Sequence, residues 1–105
     1  MGVVCSAAMC ADGAAVEQGF LTGSKFKSLS NNSRAAYVMG TIDGMLLSPL
    51  FSAPKGDTKW IERCIFGMDS EQTLAMVDNY LAENPRRWSE QMNAIVYSTF
   101  RQSCK

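Results

Sequence analysis

The 105-residue chain contains no histidine. That removes the side chain that most often serves as general base, proton shuttle and metal ligand near neutral pH. Hydrolysis or acyl transfer through a Ser–His or Cys–His pair is excluded with it. Excess charge is lacking too: ten basic residues balance ten acidic ones, for a formal net charge of +0. Such a chain has no electrostatic draw toward nucleic acid or an anionic membrane, and neither is expected as a partner. Strand-like alternation of apolar and polar residues is missing, which leaves no sheet to build. The four cysteines form no Cys-x-x-Cys pair, the spacing a four-cysteine zinc site needs. A non-enzymatic protein without metal or cofactor is the expectation.

The amino terminus, Met1 to Ala11, is apolar, rich in small residues and uncharged. It is too short to span a bilayer, and no later segment is long and apolar enough. Residues 1–13 read as the remnant of a secretory signal peptide, with Met-Gly added for expression. The same residues also match the Met-Gly-x-x-x-Ser myristoylation pattern, with Cys5 as a second acylation site. That alternative needs a cytosolic protein. Residues 14–105 read as one helical domain, large enough for a single core but short enough to gain from a covalent staple.

Periodicity places the helices. Val16, Phe20 and Leu21 outline a short one, Gly23 interrupts, and Phe26 and Leu29 mark another turn or two. The polar run Ser30-Asn31-Asn32-Ser33 can cap a helix over about Arg34 to Leu47, with Ala35, Val38, Met39, Ile42, Met45 and Leu46 on its apolar face. A second stripe on that helix, Ala36, Gly40 and Gly44, is made of small residues four apart. Two glycines inside a helix cost about 1 kcal/mol each relative to alanine. A second helix packing closely on the stripe would offset this, and Asp43 beside it either faces solvent with Ala36 and Gly40 or contacts a partner, with Arg34 or Arg63 as an intramolecular mate.

Pro49 stops the helix, and 48–58 form a loop with Pro54 and Gly56. Lys59 to Phe66 form a short segment closed by Gly67. Asp69 with Gln72 makes a capping box for a helix whose core stripe is Leu74, Val77 and Leu81. Asn84-Pro85 opens the final helix, expected to run to Gln102 with Trp88, Met92, Ile95, Val96, Thr99 and Phe100 inward. The fold class is all-α, a compact bundle of about five helices.

Cys64 and Cys104 admit three readings: a structural disulfide, a metal site or thiol chemistry. The spacing argues against zinc, and a catalytic thiol lacks a histidine base. The structural bond is the expectation carried forward. It would close a loop of about 40 residues, worth about 4 kcal/mol by chain entropy, and would require an oxidising compartment. Two Ser-x-x-Lys matches, Ser24 to Lys27 and Ser52 to Lys55, lack the companion motifs of penicillin-recognising enzymes and are read as chance. The segment Ser48-Pro49-Leu50-Phe51-Ser52-Ala53-Pro54-Lys55-Gly56-Asp57 is unusual for a loop. Leu50 and Phe51 either fold back as a lid on the core or protrude to fill a partner's pocket.

The run Ser33-Arg34-Ala35-Ala36-Tyr37-Val38-Met39-Gly40, followed by Asp43-Gly44, resembles the immunity proteins of type VI secretion amidase effectors. Trp60-Ile61-Glu62-Arg63-Cys64, Gln72, Val77-Asp78-Asn79-Tyr80-Leu81, Pro85 and Cys104 follow in the same order, so the resemblance covers 17–104. It implies a small helical protein exported to the periplasm, with a disulfide at the positions of Cys64 and Cys104. It also implies a stoichiometric inhibitor of a peptidoglycan-cleaving cysteine amidase. The branch paired with the fourth amidase family is the most similar, and there a homodimer pushes a loop into the catalytic cleft. Carried onto this chain, the effector-binding loop comprises Ser48, Pro49, Leu50, Phe51, Ser52, Ala53, Lys55 and Asp57. Ala36, Gly40, Asp43 and Gly44 would serve as the dimer or helix contact. A secreted helical lipid-binding or scaffold module is the competing reading; a small hydrolase is a third.

Overall fold

Side-chain oxygens start three of the helices. Thr22 accepts from the Lys25 amide and opens α1 (Gly23–Lys27). Ser30 accepts from the Ser33 amide at 3.2 Å and opens α2 (Asn31–Leu46). Asp69 accepts from the Gln72 amide at 2.9 Å, while the Gln72 side chain accepts from the Asp69 amide at 2.9 Å. That reciprocal box opens α4 (Ser70–Glu83) and satisfies donors that the first turn would otherwise leave free. The other two helices are α3 (Lys59–Ile65) and α5 (Met92–Ser103), and 3-10 turns occupy Ser48–Phe51 and Pro85–Arg87. These elements belong to a computed structural model that describes residues 19–51 and 58–104. The expectations for 1–13, for Cys5 and Cys10, for Val16 and for 52–57 concern residues outside these. Among the described residues the only β pairing is an isolated bridge between Thr22 and Gln91.

One apolar cluster joins the helices. Phe26 of α1, Val38 and Ile42 of α2, Ile61 of α3, Leu74, Val77 and Leu81 of α4, and Met92, Ile95, Val96 and Phe100 of α5 are all buried in it. Each such side chain contributes about 1.5–3 kcal/mol by leaving water. α2 packs chiefly on α4, and α4 on α5. Arg34 reinforces the first contact by an ion pair with Asp78 at 3.1 Å. Cys64 and Cys104 form a disulfide with a Cα–Cα distance of 5.6 Å, well within the normal range, and it ties the end of α5 to α3. The core stripe expected on α4 is the observed one, and so is that on α5 for Met92, Ile95, Val96, Thr99 and Phe100; Trp88, expected inward on the same helix, lies before it and is half-buried.

Several boundaries differ from the sequence expectation. Proline at 85 starts only a 3-10 turn, and α5 begins seven residues later, at Met92. Backbone groups between Trp88 and Met92 bond outward instead of along a helix. The Trp88 carbonyl accepts from Ser24, the Glu90 carbonyl accepts from Gly23, and the Met92 amide donates to Leu21, at 2.8, 3.1 and 2.8 Å. Buried Glu90 holds this stretch from its side chain, accepting from Arg87 at 2.6 and 2.8 Å. Arg87 also donates to the Tyr80 hydroxyl. Burial alone would lower the Arg87 pKa, but the bonds to Glu90 and Tyr80 outweigh it and hold the group above its ordinary value.

Gly23 does not interrupt a helix; it begins one. A Cβ at that position would stand 3.0 Å from both Ile95 Cδ1 and the Trp88 Cα, so glycine is there because two chain segments touch. Phe20, expected on a preceding helix, is 98% exposed in a bend. α2 starts three residues earlier than expected, because Ser30 is its cap. Its inward stripe is also narrower: Met39 is exposed, with its sulfur 3.9 Å from the Thr73 hydroxyl at the helix edge.

Candidate functional site

The carboxy-terminal end of α2 and the short turn that follows it carry three exposed large apolar side chains, Leu47, Leu50 and Phe51. The Leu47 amide donates back to the Asp43 and Gly44 carbonyls at 3.2 and 3.1 Å, closing the helix. The chain then enters the Ser48–Phe51 turn, where the Leu50 amide donates to the Leu47 carbonyl at 2.9 Å. Pro49 fixes its own φ and stiffens that turn. Leu50 and Phe51 are 76% and 80% exposed, and Leu47 is 52% exposed. Of the two arrangements considered, these side chains therefore do not form a lid on the core. Ser52, Ala53, Lys55 and Asp57, the rest of the expected binding loop, lie outside the described residues.

Beside this turn opens a cleft of about 650 Å³, reaching from Met45 and Ser48 to Thr58, Trp60, Ile61, Tyr97 and Arg101. Its wall is aromatic: the Trp60 and Tyr97 rings meet edge to face at 5.7 Å, and the Arg101 guanidinium lies 4.7 Å from the Trp60 ring centre. A second cleft of about 630 Å³ lies across the same Trp60–Arg101 pair and is lined further by Arg63, Met68, Met76, Ser103 and the disulfide. The helical spacing of Trp60 with Arg63, and of Tyr97 with Arg101, put each pair on one helix face. Neither pair was singled out from the sequence, because nothing local says that the two faces meet.

Ala36, Gly40, Asp43 and Gly44 form an exposed stripe on α2. A Cβ added at Gly40 or Gly44 would meet nothing within 4 Å. The second helix expected to pack there is not supplied by the described part of this chain. Asp43 has no ion pair among the described residues: of the two mates considered, Arg34 turns to Asp78 and Arg63 pairs with no carboxylate among them. The cost of the two helix glycines, Gly40 and Gly44, thus remains uncompensated within the described chain.

Chemistry elsewhere is structural. The Ser24 hydroxyl donates to the Trp88 carbonyl at 3.2 Å, and Lys27 rests 3.9 Å above the Trp88 ring, so the Ser24–Lys27 motif holds α1 to the 85–91 segment. Among the described residues no cluster of three His, Cys, Asp or Glu could hold a metal ion. Every buried side-chain nitrogen or oxygen among them has a partner. Among the described residues the groups with shifted pKa values are Tyr37, raised by burial against a smaller opposing bond to Thr41, and Arg87; neither lines a cleft. No described helix is long and apolar enough to cross a membrane. A persistent disulfide points to an oxidising compartment outside the cytoplasm. Compared with protein-family models, with curated proteins and with solved structures, the chain matches none of them.

Proposed function

We propose that the chain is a periplasmic, non-enzymatic immunity protein that inhibits a peptidoglycan-cleaving cysteine amidase delivered by a type VI secretion system. The residue pattern through Ser33–Gly44, Trp60–Cys64 and Val77–Leu81 supports this by resemblance. The observation that carries the reading is the exposure of Leu50 and Phe51, 76% and 80%, on a proline-stiffened turn rooted in a buried core. Two large apolar side chains held outward in a short, hydrogen-bonded turn lose little entropy on entering a partner's cleft. Occlusion of the amidase site needs no cofactor and no chemistry from the inhibitor.

The open Ala36–Gly40–Asp43–Gly44 stripe supports a homodimer, since two such faces could approach with little side chain between them. The Cys64–Cys104 bond supports export to the periplasm.

The test is co-expression with the amidase encoded beside the gene, using Leu50→Asp with Phe51→Asp. Because both side chains face water, this variant should fold with unchanged helicity. Central apolar anchors are worth about 2 kcal/mol or more each, so binding should weaken by at least about 30-fold and protection should be lost. Full inhibition by the folded variant would refute the assigned contact.

A further inference from the structure

Five arginines lie among the described residues; Arg86 is exposed and lines neither cleft, and the other four divide into two kinds. Arg34 and Arg87 are half-buried and paired with Asp78 and Glu90. Arg63 and Arg101 are exposed, have no carboxylate partner among the described residues, and line the same cleft. Among the described residues, no acidic side chain lines that cleft or the one beside it. On a chain whose total charge balances, the two described guanidinium groups there form a local concentration of positive charge.

The floor between the two guanidinium groups is apolar. Trp60, Met68, Met76 and the disulfide form it. Arg101 stacks on Trp60 at 4.7 Å, which orients a planar fork of donors while covering part of its apolar face. Methionines adapt their shape to an incoming side chain, as a site for a peptide rather than one rigid small molecule requires. The cleft is open and of about 630 Å³, and it shares Trp60 and Arg101 with the neighbouring one of about 650 Å³. Such a trough accommodates an extended stretch of chain.

From this arrangement we infer that the α3–α5 face is a second docking site, one that takes an acidic peptide segment of a partner protein in which carboxylates alternate with apolar side chains. Arg63 and Arg101 receive the carboxylates by charge-assisted bonds, and Trp60, Met68 and Met76 receive the apolar residues. The site is separate from the Leu50–Phe51 contact and does not depend on the amidase being that partner.

A blocked hexapeptide alternating aspartate and leucine tests this on the full chain, with the counterpart carrying asparagine for aspartate as control. The readout is the pair of tryptophan indole N–H resonances in a proton–nitrogen correlation spectrum, assigned with Trp60→Phe. Trp88 is the internal reference, because its indole donates to the Leu81 carbonyl at 2.8 Å and lines neither cleft. The Trp60 resonance should move saturably below about 1 mM peptide, the weak end of measurable affinity. Half-saturation should rise severalfold from low to physiological salt, as screening of partly exposed charges requires. R63Q with R101Q, both exposed sites, should retain the thermal midpoint and lose the response at least tenfold. No movement of Trp60 by 1 mM, an equal response to the asparagine peptide, or an unchanged response in the double variant would each overturn the assignment.

Discussion

Three glycines on this chain should respond to alanine with opposite signs, and the structure says which and why. Gly40 and Gly44 lie inside α2, exposed, with nothing within 4 Å of an added Cβ. Alanine there removes backbone freedom from the unfolded chain and improves helix propensity without a clash. Each substitution should stabilise by about 0.5–1 kcal/mol. Gly23 is also helical, at the start of α1, so propensity alone predicts a gain there too. The added methyl, however, would meet Ile95 Cδ1 and Trp88 Cα at 3.0 Å and the Trp88 carbonyl oxygen at 3.1 Å. Ile95 can rotate; the Trp88 backbone cannot move freely, because its carbonyl accepts bonds from Ser24 at 2.8 and 3.2 Å. Overpacking of this kind costs about 1–3 kcal/mol, more than the propensity gain returns. Gly23→Ala should therefore destabilise by about 1 kcal/mol or more. For a domain of this size each kcal/mol moves the midpoint by about 4–8 °C, so the signs are readable by thermal or urea unfolding followed by circular dichroism. The measurement belongs at low protein concentration, where pairing of copies contributes least. Destabilisation by Gly40→Ala or Gly44→Ala in monomeric protein, or a gain from Gly23→Ala, would refute the reasoning. A wild-type midpoint that rises with concentration, and does so less in the α2 variants, would tie that face to dimerisation.

Reducing the Cys64–Cys104 bond, or replacing both residues by serine, should lower the unfolding free energy by about 4 kcal/mol through the 40-residue loop it closes. Identical urea midpoints with and without dithiothreitol would show that the bond constrains nothing. Alkaline stability should carry a signature of Tyr37, whose hydroxyl burial raises above its usual pKa of 10.0. Above pH 10 the unfolded chain releases that proton before the folded one does, so stability falls as pH rises from there through the folded value. Tyr37→Phe, which keeps the ring packed against Phe26 at 5.9 Å, should lose less stability than wild type between pH 9 and 11; parallel losses would assign the slope elsewhere.

Helix starts and core stripes were legible because they are local. The Asp69–Gln72 box and the Leu74–Val77–Leu81 stripe depend only on residues three or four apart, and the structure has them where the sequence puts them. The same holds for Met92, Ile95, Val96, Thr99 and Phe100, which share one face whatever lies upstream. Expectation failed where distant segments compete with local rules. Asn84-Pro85 is a good helix opening, yet the 88–92 backbone is drawn into bonds with 21–24, over 60 positions away. Gly23 reads as a breaker in one dimension; in three it is a site where an added Cβ would crowd Ile95 and the Trp88 backbone.

The candidate site divides along the same line. Leu50 and Phe51 stood out as large apolar residues among turn formers, a property of composition; their outward direction became clear only once the end of α2 was placed. The Trp60–Arg101 trough left no mark on the sequence, because its two arginines sit on helices whose proximity is set by the packing of α3 on α5 and by the disulfide. By itself the sequence determined an all-helical chain, its principal caps and its amphipathic faces, since those follow from contacts within a turn or two. Tertiary structure alone decided which faces are covered, which arginines find carboxylates and where the chain leaves the helix, because each depends on what another segment brings into contact.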